Sequence, residues 1–296
     1  MVVPDSDGVV DPKGDIVGIL LGSNPPSDMG DLYLDYNWIP LAYLNLVLQS
    51  AFIPNTKTLS TFFISNAGLG KTTYLEFLKR FDFVDYVLDI TPTYIVEFLR
   101  DVEHGRKKFL VTPDYITFLG HNKKTIDLSQ SYFRAMIEEG ASNIKTYNAK
   151  IDFNAPVKAG IISGITVDKA NENTGRWRSD GFFSRLLPFS FSHSIETQNS
   201  ILRNIFLHKD IIEKINMKII KNPLEPIWTE SIDAEIKVIA FSLSDSYHGA
   251  VYRKYKQVLA LTKSSAVLRG SHTIERKDIM LVQKIANYIN RIQHPL

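Results

Sequence analysis

The sequence predicts an α/β fold: a parallel sheet flanked by helices, followed by a mainly helical C-terminal region. Three observations carry this expectation. A glycine-rich turn, Ser65-Asn66-Ala67-Gly68-Leu69-Gly70-Lys71-Thr72-Thr73, joins the apolar run Thr61-Phe62-Phe63-Ile64 to a helical stretch, Tyr74 to Arg80. Strand-like runs then alternate with helical patterns to about residue 140, as in a βαβα series. Beyond Ser200 the apolar residues recur at helical spacing, as in Ile279, Val282, Ile285, Ala286 and Ile289.

The 296 residues, 44% of them hydrophobic, can hold one large domain or two modest ones with a substantial core. A formal charge of +2 offers no global electrostatic attraction for nucleic acid or membrane, so any such contact has to be local. The chain has no cysteine, which excludes disulfides and thiolate zinc sites, and its seven histidines show no His-x-x-x-His spacing. The acidic start, Met-Val-Val-Pro-Asp-Ser-Asp, lacks the basic segment of a secretory signal, and the expected compartment is the cytoplasm.

Residues 1–35, rich in Gly, Pro and Asp, read as an extended N-terminal extension with one short apolar piece, Ile16 to Leu21. Residues 36–56 carry no charge and have the length of a membrane span. Pro40, Asn45, Gln49, Ser50 and Pro54 interrupt them, while Leu41, Leu44, Leu48 and Phe52 recur at helical spacing; the expectation is a buried amphipathic helix and no membrane partner. Strands are then expected near 60–65, Val84–Ile90 and Phe109–Thr112, with helices to Arg80, over Thr93–Glu103 and near Ser129–Glu139. Asn143 to Phe153 alternates like a hairpin, Val157 to Ile165 reads as a buried strand, and Leu186 to Phe191 as a short one. The polar run Ser192 to Ser200 divides a nucleotide-binding core, residues 36–197, from a helical lid, residues 198–296.

The turn at 65–73 has the chemistry of a phosphate-binding loop. Gly68 and Gly70 let successive N–H groups of Asn66, Ala67, Gly68, Leu69, Gly70 and Thr73 curl toward one point, at which the following helix aims its positive end. Lys71 reaches terminal phosphates in such a loop and the Thr72 hydroxyl holds Mg²⁺, so ATP and Mg²⁺ are the expected cofactors. The first glycine of the usual pattern is replaced by Ser65.

A second acidic residue is needed at the end of a neighbouring strand to orient the metal. Asp114, after Phe109-Leu110-Val111-Thr112-Pro113, is the candidate; Asp89 comes too soon after the loop helix for a sheet with an intervening strand. The position after Asp114, where a water-activating glutamate is usual, holds Tyr115. Glu138 and Glu139 are the nearest other carboxylates by sequence, and nucleotide binding is a firmer expectation than rapid hydrolysis. Arg176, Arg178 and Arg185 fall within ten positions before the last core strand, and arginine suits developing phosphate charge because it is permanently ionised and forked.

This order of parts resembles an AAA+ P-loop ATPase, in the branch with an extra hairpin before the fourth core strand that includes MCM-type helicases, and it is similar to ATPases of archaeal and viral mobile elements. Ala135-Met136-Ile137-Glu138-Glu139-Gly140 resembles the turn that introduces the hairpin, and Phe183-Ser184-Arg185-Leu186-Leu187 the finger motif without its Asp. Arg253 to Val258, Leu268-Arg269 and Ile274 to Asp278 resemble the lid pattern. The resemblance implies a sensor role for Thr166, where the family usually carries Asn, a finger acting from a neighbouring subunit for Arg185, and a second sensor role for Arg253. It also implies a homo-oligomeric ring, commonly a hexamer, whose hairpins enter the pore. Lys145 and Lys150, flanking the hairpin tip, would then hold DNA phosphates. Arg106-Lys107-Lys108 and Lys123-Lys124 read as solvated faces. The expected function is DNA unwinding or translocation in replication of a mobile element. An ATP-dependent assembly switch or loader, favoured by Tyr115, and a DNA-packaging motor are the alternatives.

Overall fold

The computed structural model describes residues 38–145, 150–193, 195, 198–199, 217–244 and 251–289. The extension at 1–35 and residues 194, 196, 197 and 200 of the expected boundary segment lie outside them. The sheet is built from β1 (Thr61–Ser65), β2 (Val84–Tyr86), β3 (Phe109–Thr112), β6 (Gly160–Thr166) and β7 (Phe189–Ser190). These strands are all parallel, in the spatial order β2-β3-β6-β1-β7. Helices cover both faces, as buried parallel strands require. Between β3 and β6 the chain makes a separate antiparallel hairpin, β4 (Ala141–Lys145) with β5 (Lys150–Val157).

Side chains alternate across the sheet. Phe62 and Ile64 of β1 join the core formed with α3 (Pro92–Glu103), α4 (Tyr115–Leu119), α5 (Lys123–Arg134) and α6 (Val167–Ser179). Phe63 joins the opposite core, with α1 (Trp38–Ser50), α2 (Lys71–Glu76), α7 (Glu230–Ser244), α8 (Val251–Leu268) and α9 (Arg276–Ala286). Tyr43 stacks on Phe189 at 4.5 Å and Phe63 on Phe189 at 5.3 Å, tying α1 to β1 and β7. Such pairs add about 0.5–1.5 kcal/mol each to their burial.

Three elements differ from the sequence expectation. α1 is buried from Ile39 to Ser50 with no solvent face, because the sheet lies on one side and α8 on the other. Its polar residues are absorbed by hydrogen bonds: Gln49 donates to the Ile220 carbonyl and accepts from the Ile220 amide, both at 2.9 Å. The Ser50 hydroxyl accepts from the Leu59 amide at 2.9 Å. β2 stops at Tyr86: the Val87 amide makes the last bond to β3, to the Val111 carbonyl at 2.9 Å, and beyond it the Asp89 carboxylate accepts from the amide of its own neighbour, Ile90. α6 has no counterpart in the expected elements, because only Ala170 and Trp177 along its 13 residues are buried and no apolar stripe marks it. Among the described residues the C-terminal helices α7, α8 and α9 share one hydrophobic cluster with α1 and the sheet. Among the described residues no helix is long and apolar enough to cross a membrane.

Candidate functional site

The predicted residues fall at two opposite ends of the sheet. At the C-terminal end, β1 leads into the glycine-rich loop, where Gly68 (φ 80°) and Gly70 (φ 79°) occupy the left-handed region that side chains disfavour. A Cβ on either would meet nothing within 4 Å, so these residues face open space rather than a packed neighbour. Asn66, Ala67 and Gly68 are exposed, as are Thr72 and Thr73. The Lys71 ammonium folds back onto the loop, donating to the carbonyls of Ser65 and Asn66 at 2.8 Å each and to Ser65 Oγ at 3.2 Å. Burial lowers the Lys71 pKa, and the charge of Asp114 opposes that shift, which sets the Asp114 carboxylate within electrostatic reach of the ammonium.

Asp114 reaches that position through the strand order. β3 pairs with β6 and β6 with β1, so one strand separates the Asp114 strand from the loop strand. Asp114 follows β3 as the N-cap of α4, its Oδ1 accepting from the Ile116 amide at 2.9 Å. The exit from β3 passes so close to β6 that a Cβ on Gly164 would lie 2.3 Å from the Pro113 carbonyl oxygen. Only glycine fits there. Thr166 ends β6 directly opposite Ser65, half-buried, and its hydroxyl makes no capping bond to α6. Asp89, by contrast, lies beyond the edge strand β2, bound to the His121 ring at 2.8 Å.

Tyr115 points away from the loop. It is fully buried against Phe62 (4.7 Å), Phe118 (4.8 Å) and Trp177 (5.8 Å), and burial raises its pKa, with Gln130 and the Arg176 charge opposing. The side chain that follows Asp114 is therefore a core residue. His193, which sequence reasoning did not single out, lies just beyond β7, buried and beside the Leu69 backbone of the loop. Burial lowers its pKa, with the Leu69 backbone hydrogen bond opposing, and so favours the neutral ring. A lone histidine after a short strand carries no pattern that could have marked it.

At the N-terminal end of the strands lie Arg185 and Arg253. β1 separates them from the loop by five residues, about 16 Å at 3.3 Å per residue. The 3₁₀ turn Phe183–Arg185 precedes Leu187, whose amide donates to the Ser60 carbonyl at 2.9 Å, one residue before β1 starts. Arg185 donates to the Gly181 carbonyl at 2.8 Å and to Glu139 at 3.2 Å. Arg253, at the start of α8, lies 3.5 Å from Glu138 and donates to Ser184 Oγ at 3.2 Å. Glu138 also accepts from Lys57 at 2.6 Å. Burial pushes Glu138 up, but Lys57, Arg253 and Arg185 together hold its pKa below the ordinary glutamate value. At Lys57, which is more deeply buried, burial wins over Glu138 and the pKa falls. Glu138 and Glu139 are thus neither a free helix end nor close to Lys71; they are partners of the arginines.

Arg176 is engaged elsewhere, bound to Asp127 on α5 and 3.8 Å from Asp180. Lys145 and Lys150 occupy paired backbone positions where the hairpin meets residues 146–149. Their side chains and that segment lie outside the described residues. Among the described residues no group of three or more His, Asp or Glu could by itself hold a metal ion. A magnesium ion bound through Thr72, Asp114 and phosphate oxygens needs no such group. No protein-family model matches the chain, and no curated protein matches it in sequence.

Proposed function

We propose that the chain is an AAA+ P-loop ATPase that binds ATP with Mg²⁺ and works as a homo-oligomeric ring, unwinding or translocating DNA in replication of a mobile element. The observation that carries this reading is the separation, within one chain, of the loop with Asp114 and Thr166 from Arg185 with Arg253 at the other end of β1. Residues so far apart cannot serve one nucleotide in the same subunit. A head-to-tail contact repeated around an axis brings the arginine end of one subunit to the loop end of the next, and closes a ring.

In this reading the amides of residues 66–73 and the Lys71 ammonium bind the phosphates, exchanging the loop carbonyls for phosphate oxygens. The open glycines at 68 and 70 fit a phosphate chain, and Thr72 and Asp114 would hold Mg²⁺. Magnesium held there would supply positive charge to offset the charge that develops on the phosphates. Thr166 orients the terminal phosphate or the attacking water through its hydroxyl. Arg185, with Arg253 beside it, supplies positive charge to the nucleotide of the neighbouring subunit. Lys145 and Lys150 contact DNA phosphates from the hairpin.

A second reading, an ATP-dependent assembly switch, is favoured by one observation: Tyr115 is locked in the core, so no base stands directly after Asp114. ATP turnover measured alone and with single- or double-stranded DNA separates the two. Stimulation by DNA is the result expected of the motor, and tight ATP binding with negligible turnover that of the switch. Mixing Arg185→Ala with Lys71→Ala subunits tests the shared site: turnover above that of either variant alone is expected, and no recovery at any ratio overturns it.

A further inference from the structure

We propose that Gln257 and Lys254, on α8, are positioning residues for Arg185. The inference rests on the reading of Arg185 as the group that acts on a neighbour's nucleotide, and extends it to how that group is held. A three-residue 3₁₀ turn has few bonds of its own with which to fix a side chain. Here the turn is gripped from α8 by adjacent positions on one helix face. Gln257 Nε2 donates to the Arg185 carbonyl at 2.9 Å, and Lys254 Nζ to the Leu186 carbonyl at 3.0 Å. The Arg253 contact to Ser184 Oγ completes the row, and Ser184 Oγ in turn donates to the Gly181 carbonyl. On the other side the Arg185 guanidinium is held by Gly181 and Glu139.

The residue types argue that this grip is more than packing. Gln257 is 0% exposed and Lys254 1% exposed, in a helix whose other buried positions include Val258, Leu261 and Val267. A buried ammonium is expensive relative to an apolar side chain of the same length. Both long polar side chains direct their donors to consecutive backbone carbonyls, those of the finger residue and the one after it. This arrangement fixes the turn's backbone, and hence the direction in which the Arg185 side chain leaves it. It also links that direction to α8, the helix that packs on α1 and carries Arg253.

The experiment uses full-length Gln257→Met, which keeps side-chain length and removes the donor. Expected is a fall in ATP turnover of about 10- to 100-fold, the cost of misplacing a reacting group by roughly an ångström, with ATP affinity unchanged because the loop is intact. Mixing with Lys71→Ala subunits, whose arginine end is normal, is expected to restore turnover, as it should for Arg185→Ala. A general folding defect would lower affinity and give no rescue. Wild-type turnover in Gln257→Met beside a strong loss in Arg185→Ala overturns this inference alone. Unaltered turnover in Arg185→Ala, or none in the wild-type chain, overturns the finger reading and the inference with it. Should Gln257→Met fail to fold, Lys254→Met, lacking the adjoining bond to Leu186, carries the same comparison.

Discussion

At the C-terminal end of the sheet the backbone is open: two left-handed glycines face space, Thr72 and Thr73 are exposed, and Lys71 rests on carbonyls of its own loop. At the N-terminal end Arg185, Arg253 and Lys57 are already matched to Glu138 and Glu139 and braced by α8. At one end the lysine rests on neutral carbonyls; at the other the cations have their geometry set in advance by carboxylates. A side chain held by several bonds has lost its rotamer freedom before any ligand arrives, so less entropy is lost when it acts. The open end suits capture of a ligand from solution, the braced end a contact delivered as a rigid body. This contrast is what a site shared between subunits needs from its two halves.

The comparison breaks most easily at Lys71. Lys71→Ala is expected to abolish ATP binding and turnover while lowering thermal stability by no more than about 1.5 kcal/mol, since the side chain bonds only within its own loop, to the carbonyls of buried Ser65 and exposed Asn66 and to Ser65 Oγ. Equilibrium binding of labelled ATP measures the first and thermal denaturation the second; retained affinity sinks the loop assignment. Asp114→Asn should lower Mg²⁺-dependent turnover by about 100-fold, and raise the Mg²⁺ concentration needed for half-maximal rate. Asp89→Asn should leave both unchanged, because Asp89 lies past the edge strand; the reverse pattern would move the metal to the wrong side of the sheet.

Gly164→Ala tests how the open end is built. The new methyl would overlap the Pro113 carbonyl, and a loss of about 1–3 kcal/mol is expected together with weaker Mg²⁺ dependence, as the Asp114 turn is pushed outward. A stable variant with normal Mg²⁺ dependence would show that the close approach of β3 and β6 does not position Asp114.

The smallest effect concerns the braced end. Burial pulls the Lys254 pKa down to about 7, with the charge of Lys57 acting in the same direction. The unfolded chain keeps the ordinary lysine value near 10.4. The cost of burying the charged form is therefore complete below pH 7 and fades as pH rises from 7 toward 10.4. The melting temperature of Lys254→Met relative to wild type should be higher at pH 6 than at pH 9. An equal difference at the two pH values would show that the lysine is not buried in charged form at pH 6.

The glycine-rich loop was legible because its requirements are local. Nine consecutive residues contain the left-handed positions, the lysine and the hydroxyl, and no distant contact is needed to recognise them. That Asp114 follows directly on an apolar strand was legible for a similar reason, since a short apolar run ending in an acidic residue is itself a local pattern. α6 was hidden because its packing uses two residues in thirteen, and α1 was misread because a helix enclosed on all sides has no polar face to complete an amphipathic pattern. The pairing of Glu138 and Glu139 with Arg253 and Arg185, and the placing of His193 beside Leu69, had no sequence signature; each joins residues 46 to 124 positions apart, brought together by long-range packing.

Residue order alone specified the α/β alternation, the loop backbone and the acid that follows β3, because hydrophobic periodicity and glycine conformation act over a few residues. Which end of the sheet received each charge was decided only on folding. Parallel pairing in the order β2-β3-β6-β1-β7 put Asp114 and Thr166 beside the loop, and burial of α8 against α1 drew Arg253, Lys254 and Gln257 to the turn that carries Arg185. Burying apolar surface chooses among whole arrangements of the chain, so no short stretch of it encodes that outcome.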